Sequence, residues 1–172
     1  MDGERRRKQI VANLSNATRA VSATKLSQEF GVSRQVIVGD IALLRAGGQE
    51  IIATSRGYIL EGKREGIVKT IASKHGTDQT YEELEAIVKL GGEVLDVSVE
   101  HPLYGEITGN LHIKTRADAR EFCEAQENNQ ATLLSDLTGG IHTHKLLVRD
   151  EIHFAEIEKV LREKGLLYTG IA

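Results

Sequence analysis

Two histidines with one residue between them, His142 and His144, lie in a run of residues that is predicted to form a strand over 142–149. Alternate residues of a strand point to the same face, so this spacing brings the two imidazoles together. Two neutral imidazoles on one face suit a transition metal. The alternative is that both rings lie on a solvated strand face, and the pattern leaves both interpretations open.

A third imidazole, from His75, and a carboxylate, from Glu83, would complete a site with three nitrogens and one oxygen. Zinc, nickel and iron accept such ligands, whereas magnesium and calcium prefer oxygen. The separation of eight residues matches no standard metal signature. Glu83 also has a competing role, because Thr80 to Glu83 has the pattern of a capping box, in which Glu83 bonds the backbone amide of the capping residue. On the residues alone, the capping role is favoured.

A second group of polar side chains lies at the start of a predicted helix. The stretch 24–45 is typical of two helices joined by a tight turn at Gly31, the layout of a DNA-reading helix-turn-helix. In the second helix Ile37, Ile41 and Leu44 recur at helical spacing and must face inward. Five residues near its N-terminal end are left on the outside: Ser33, Arg34, Gln35, Val38 and Gly39.

The chemistry of these outward residues suits contact with a major groove. Arg34 can donate two hydrogen bonds to a guanine edge, and Gln35 can bond an adenine or a phosphate. Gly39 would let the backbone come close. Downstream, two short strand-like runs flank a turn with Arg56 at its basic tip, which predicts a wing. The alternative for the whole segment is a pair of hairpins that touch no nucleic acid.

The elements before the helix-turn-helix carry their own signals. A first helix is predicted over 5–14, and the basic tract 5–8 lies near its start, where positive charge opposes the helix dipole. Helix stability therefore does not explain the tract, which is either a solvated end or a phosphate contact. Ser22 and Ser33 are predicted N-caps, and Gly31 is predicted to end the helix between them.

The segment 61–66 is polar and contains glycines, which is typical of a domain boundary. We expect a winged helix-turn-helix domain over 1–64 and a second domain over 65–172. Helices are predicted in the second domain over 67–73, 80–90, 116–126 and 151–164, and strands over 94–100, 106–114 and 142–149. This mixture predicts an α+β fold with a mainly antiparallel sheet.

A further motif in the second domain, residues 101–105, contains the only proline of the chain. That proline restricts Glu100 to an extended conformation, and Gly105 allows a tight turn. The motif is either purely a turn, or it presents His101 and Tyr104 to a pocket.

The composition of the 172 residues is that of an ordinary globular chain, with 40% hydrophobic and 27% charged residues. No apolar run approaches the roughly 20 residues of a membrane helix, and no apolar signal core follows the basic N-terminus. We therefore expect a cytoplasmic location and no membrane partner. Cys123 is the single cysteine, which excludes an intrachain disulfide and fits a reducing compartment.

The net charge of −3 conceals opposite charges in the two halves of the chain. Residues 1–64 contain 11 Lys and Arg against 6 Asp and Glu, a net +5, whereas residues 65–172 carry −8. A pI near 6.1 argues against a nucleic-acid partner, but phosphate contacts depend on the local field of the docking face. The basic half is the half with the predicted helix-turn-helix.

Several segments in this order resemble a known family over nearly the whole chain. They are residues 33–44 with 51–58, His75 and Gly76 followed by 80–84, then 101–105, and then 134–144. The chain resembles the niacin-responsive transcriptional repressors of Gram-positive and related bacteria. These consist of a biotin-repressor-like winged helix and a three-histidine (3H) domain.

The resemblance implies a homodimer that binds double-stranded operator DNA of niacin uptake or NAD biosynthesis genes, with nicotinic acid as co-repressor. It also implies a divalent transition metal in the 3H domain, with zinc or nickel expected. The implied ligands are His75, Glu83, His142 and His144, and this raises Glu83 from helix cap to ligand. His101 and Tyr104 are the expected effector contacts.

The family pattern also bears on operator choice and on competing functions. Gly39 stands where a larger polar residue is expected, which affects the operator preference.

An enzyme is not expected. The competing hypotheses are a regulator that responds to the metal itself and a metalloenzyme that acts on a small molecule related to nicotinate.

Overall fold

The N-terminal unit of the chain, residues 1–63, contains three helices followed by a β-hairpin. The computed structural model describes residues 2–62 and 64–170 of the chain. The elements of this unit are α1 (Gly3–Asn16), α2 (Ala23–Phe30), α3 (Arg34–Ala46), β1 (Ile51–Thr54) and β2 (Gly57–Leu60). Together they confirm the three helices and the wing.

The predicted caps of α2 and α3 are confirmed. Ser22 accepts a hydrogen bond from the backbone of Lys25 at 3.0 Å, and Ser33 accepts one from Val36 at 3.2 Å. Gly31 ends α2 with a φ of 64°, in the left-handed region that favours glycine. These local signals fix where each helix of the helix-turn-helix begins and ends.

One apolar cluster holds the three helices and the wing together. Its buried members are Ile10, Leu14, Val21, Ala23, Leu26, Ile37, Ile41 and Ile51. Leu44 packs against it from the edge, so the predicted inner stripe of α3 is confirmed. The wing is joined to the chain before α2, because Val21 and Tyr58 exchange backbone hydrogen bonds of 2.9 and 2.8 Å.

The basic tract near the start of α1 has a role that neither sequence interpretation included. Arg6 Nε donates to Asp40 Oδ2 at 2.6 Å, and Arg7 Nη1 donates to Oδ1 at 3.2 Å. Asp40 lies on α3 and is only 3% exposed, so its charge requires partners. Arg6 and Arg7 therefore tie α3 to α1.

The C-terminal unit, residues 64–172, contains a four-stranded sheet with three longer helices. Its strands are β3 (Ile67–Lys74), β4 (Glu93–His101), β5 (Gly105–Ile113) and β6 (Ile141–Val148), in the spatial order β3-β6-β4-β5. Its helices are α4 (Thr80–Lys89), α5 (Arg116–Asn128) and α6 (Glu151–Glu163), with short 3-10 turns at Thr77–Gln79 and Leu134–Thr138. All three strand pairs are antiparallel, so the predicted α+β class is confirmed.

The helix predicted over 67–73 is wrong, because these residues form strand β3. Ile71 and Ser73 are buried while Val68 and Thr70 are exposed, an alternation that only a strand produces. β-Branched residues favour the extended conformation, and β3 pairs with β6 in an unbroken register. Over so short a run, the apolar residues Ile67, Val68 and Ile71 fit a helical period as well as a strand.

The three helices and the inner face of the sheet enclose one hydrophobic core. Its buried members include Ile71, Leu84, Ile87, Val94, Ile113, Leu146, Ile157, Leu161 and Leu166. After α6 the chain runs along the outer edge of β3, where Lys74 N–H donates to Leu166 and Tyr168 N–H donates to Ala72. Within residues 2–62 and 64–170, no helix has the length and apolar character needed to cross a membrane.

We expect Asp40→Ala to lower the thermal stability of the protein by several degrees. The substitution leaves the guanidinium of Arg6 without its buried partner, and such half-broken pairs are destabilising. Glu4→Ala is the matched control, because the Glu4–Lys8 pair is exposed and contributes little. Calorimetric unfolding of both variants is the measurement. An Asp40→Ala protein that melts with the Glu4→Ala protein would contradict a structural role for the pair.

Candidate functional site

Four side chains converge on the inner face of the sheet in the C-terminal unit: His75, Glu83, His142 and His144. We call them the histidine–glutamate cluster. In the register of β3 with β6, Ile71 lies opposite His144 and Ser73 lies opposite His142. Both histidines therefore point inward, as the alternation in β6 predicts. The structure brings together all four residues that the family resemblance implies.

The other two members of the cluster come from the chain after β3 and from α4. His75 follows the last residue of β3, and its N–H donates to the carbonyl of Gly140 at 3.3 Å. Glu83 lies one turn into α4 and is 1% exposed. Strand, turn and helix thus each contribute side chains to one buried point.

The carboxylate of Glu83 lies at the centre of the cluster. Its Oε1 is 2.5 Å from His144 Nε2 and 3.3 Å from His142 Nε2, and its Oε2 contacts His75 Nε2. The ligand atoms of His75, Glu83 and His142 all lie within 4.8 Å of one another. Adjacent imidazoles meet edge to face, with centroids 4.8 and 4.7 Å apart. All three rings thus direct the same nitrogen at one carboxylate.

Backbone carbonyls fix which nitrogen of each ring carries the hydrogen. The Nδ1 atoms of His75, His142 and His144 lie 2.9, 2.9 and 2.6 Å from the carbonyl oxygens of Gly76, Gly140 and Asp96, respectively. A carbonyl can only accept, so each Nδ1 is the donor. In the neutral rings, each Nε2 then presents a lone pair to an acceptor-only carboxylate, and only a cation or shared protons can lie between them.

The charges of the cluster are coupled, because an ionised Glu83 and protonated imidazoles stabilise one another. Burial would raise the pKa of Glu83, but the charge of His144 and hydrogen bonds from all three imidazoles bring it well below its usual range. Burial disfavours the charged forms of His75 and His144, yet Glu83 outweighs burial and raises the pKa of both. The site therefore stabilises positive charge beside Glu83.

The predicted capping box at the start of α4 is wrong. The 3-10 turn Thr77–Gln79 runs directly into α4, so Thr80 already has helical φ and ψ of −59° and −48°. Gln79 occupies the cap position and makes no side-chain capping bond. Thr80 cannot act as an N-cap in this conformation, and the Glu83 side chain turns to the imidazoles.

Sequence reasoning assigned no role to Gly140, which the cluster requires. Its φ is +94°, and a Cβ atom built there would lie 2.5 Å from the carbonyl oxygen of His75. The single carbonyl oxygen of Gly140 also accepts hydrogen bonds from both His75 N–H and His142 Nδ1. The signal in the sequence was the pair Gly139-Gly140, which is separated from the His-Thr-His motif by Ile141 alone.

His153 and His112 are buried outside the cluster. His153 Nδ1 accepts from Arg149 N–H at 3.0 Å, and its Nε2 donates to the Leu90 carbonyl at 2.6 Å. His112 Nδ1 lies 3.3 Å from a carboxylate oxygen of Glu93. Both are histidines of the fold whose ring nitrogens have partners within their own unit.

The expected effector contacts lie at the tip of the β4–β5 hairpin. His101 Nδ1 accepts from the backbone of Leu103 and Tyr104, at 3.1 and 3.2 Å. The rings of His101 and Tyr104 have centroids 5.0 Å apart, and Tyr104 is 72% exposed. These contacts organise the turn, and a part for His101 and Tyr104 in effector binding stays a prediction.

In the N-terminal unit, the first half of α3 presents the residues expected to meet DNA. Arg34, Gln35, Val38 and Gly39 are exposed, and no atom of the described residues lies within 4 Å of a Cβ built at Gly39. Ser33 is exposed while its hydroxyl caps the helix. Arg56 lies half-buried in the turn between β1 and β2.

Both units of the chain match known domain families. A helix-turn-helix domain model matches residues 6–59, and a 3H domain model matches residues 68–170. The chain is 40% identical to the probable transcription repressor NiaR of Thermotoga maritima over 164 residues, 95% of this chain and 94% of that protein. It is 37% identical to the transcription repressor NadR of Bacillus subtilis over 169 residues, 96% and 94% of the two chains.

Fold and comparisons together define a two-domain protein with an N-terminal helix-turn-helix domain and a C-terminal 3H domain. The similarity to both repressors extends over nearly the full length of the chain. The chain belongs to the NiaR/NadR family of transcription repressors.

We expect His142→Ala to lower the zinc affinity of the protein at least about tenfold, because it removes one of three imidazole nitrogens that converge on Glu83. His101→Ala is the matched control, since it removes a histidine at the hairpin tip. Chelator competition and elemental analysis measure the effect. Full metal retention by the His142→Ala protein would exclude this ring as a ligand.

We also expect the stabilisation of the protein by zinc to increase from pH 6 to pH 8. Metal binding requires deprotonated Nε2 atoms. The pKa values of His75 and His144 are raised above the ordinary histidine value of about 6.5, so protons compete with zinc for these nitrogens even above that pH. In the metal-free protein, these raised pKa values stabilise the fold at low pH, and that contribution is lost as pH rises through them. A zinc-induced shift in melting temperature that is the same at both pH values would contradict this expectation.

Proposed function

We propose that this protein is a repressor that binds double-stranded operator DNA of niacin uptake or NAD biosynthesis genes as a homodimer. Nicotinic acid is its co-repressor, sensed through a divalent transition metal, zinc or nickel, in the 3H domain. One observation carries the proposal: three imidazole nitrogens and a carboxylate converge on a buried point in a chain whose other domain is a DNA-reading helix-turn-helix.

The DNA-binding part of the proposal rests on α3 and the wing. Arg34 and Gln35 are exposed in the first turn of α3, where side chains of a recognition helix reach base edges. Residues 1–64 carry a net +5, which favours contact with phosphates. In a dimer of this type, two recognition helices enter successive major grooves about 34 Å apart.

The metal part rests on the chemistry of the histidine–glutamate cluster. Three neutral imidazoles and one carboxylate oxygen fit zinc or nickel better than magnesium or calcium. Carbonyl acceptors at Nδ1 fix the tautomer that metal-bound histidines use. When bound, the metal would offer a coordination position that the carboxylate or ring nitrogen of a pyridine carboxylic acid could fill.

Co-repression requires that nicotinic acid bind more tightly to the DNA-competent state than to other states. A ligand shifts a conformational equilibrium only by this difference in affinity. In this proposal, the 3H domain binds the effector, and α3 binds the operator DNA.

An enzymatic role has less support. Glu83 is the carboxylate of the cluster, and all three imidazoles contact it, so it is not free to act as a general base. Membership of a family of transcription repressors favours a regulator. A regulator that responds to the metal alone is the alternative that the following experiment separates.

We expect nicotinic acid to increase the operator affinity of the metal-loaded protein at least about tenfold, within the usual range of allosteric coupling. Fluorescence anisotropy at fixed salt measures this, with nicotinamide as the ligand control. Arg34→Ala should weaken operator binding in both conditions, because a bidentate base contact is lost. Operator affinity that follows added metal and ignores nicotinic acid would overturn the co-repressor assignment, and turnover of nicotinic acid would overturn the regulatory one.

A further inference from the structure

A serine that no part of the proposed function uses lies beside the histidine–glutamate cluster. Ser73 is directly opposite His142 in the β3–β6 pair and two residues before His75 along the chain. Opposed residues of antiparallel strands have their side chains on the same face, about 5 Å apart. Ser73 therefore belongs to the same inner surface as the three imidazoles.

The hydroxyl of Ser73 is enclosed and unsatisfied. Ser73 is 0% exposed, because β6 lies on one side of it and Leu167 pairs with it on the other. Within the part of the chain that the structure describes, its Oγ has no hydrogen-bond partner. Buried hydroxyls nearly always form a hydrogen bond, so an unbonded hydroxyl beside the histidine–glutamate cluster requires an explanation.

The neighbouring imidazoles do not satisfy this hydroxyl. In His75 and His142, Nδ1 donates to a backbone carbonyl and Nε2 is directed at Glu83. The described residues therefore leave the Ser73 hydroxyl available to a bound group.

We propose that Ser73 donates a hydrogen bond to the oxygen ligand that completes the metal's coordination shell, either a water molecule or a carboxylate oxygen of the effector. This proposal rests on the metal site of the proposed function and adds a residue to it. A hydroxyl donor binds an anionic carboxylate more strongly than a neutral carboxamide. Ser73 would thereby favour nicotinic acid over nicotinamide.

The test compares Ser73→Ala with Ser98→Ala in the full chain loaded with cobalt(II). Ser98 is the matched control because it is also a buried serine of the sheet. It lies opposite Thr143 on the other face, and its hydroxyl bonds to that of Thr108 at 2.7 Å. Melting of the metal-free proteins checks folding, and removal of an orphan hydroxyl should not lower the melting temperature of the Ser73→Ala protein.

Calorimetric titration with nicotinate and the visible spectrum of cobalt identify the source of the oxygen. We expect Ser73→Ala to weaken nicotinate binding about tenfold, the loss typical of a hydrogen bond to a charged group, and Ser98→Ala to leave it within about twofold. Unchanged nicotinate affinity with an altered cobalt spectrum before nicotinate is added identifies water as the ligand. Unchanged affinity and an unchanged spectrum overturn the proposal.

The wild-type protein distinguishes failure of this proposal from failure of the proposed function. Wild-type protein that binds cobalt but not nicotinate removes the co-repressor assignment, and the cobalt spectrum of Ser73→Ala then decides the role of Ser73. Wild-type protein that binds no transition metal overturns both proposals.

Discussion

The arrangement of the C-terminal unit depends on one electrostatic constraint, which is that three imidazole acceptors face one buried carboxylate. Glu83 is 1% exposed, and its oxygens are met by Nε2 atoms whose rings already donate through Nδ1. Burying such a group without a compensating positive charge is costly. The register of β3 with β6, the close backbone approach at Gly140 and the turn of α4 all hold this arrangement in place.

A buried carboxylate orients the functional element in each of the two units. In the N-terminal unit, Asp40 anchors α3 to α1 through Arg6 and Arg7. In the C-terminal unit, Glu83 gathers the imidazoles. The two carboxylates differ in their partners, because guanidinium groups are always charged, whereas an imidazolium can lose its proton and then bind a metal through the freed nitrogen.

Local signals predicted the helix-turn-helix and half of the cluster. Ser22, Gly31 and Ser33 act through neighbours within a few residues, so their roles could be predicted from the sequence. The strand period alone predicted that His142 and His144 share a face. The family resemblance was needed to favour His75 and Glu83 as members of the cluster, because their proximity to His142 and His144 depends on how β3, α4 and β6 pack.

Other features depended on tertiary contacts that no local pattern encodes. The strand β3 was mistaken for a helix because its apolar residues fit both periods over a short run. The Asp40 ion pairs and the Asp96 carbonyl at His144 join residues distant in the chain. Ser73 could be recognised only from its burial and its missing partner.

X-ray absorption spectroscopy of the zinc- or nickel-loaded protein tests the central claim most directly, because it reports the atoms around the metal. The account predicts a first shell of nitrogen and oxygen, at about 2.0–2.2 Å for zinc, with multiple scattering from three imidazoles. A shell that contains sulfur, or fewer than three imidazoles, would contradict it.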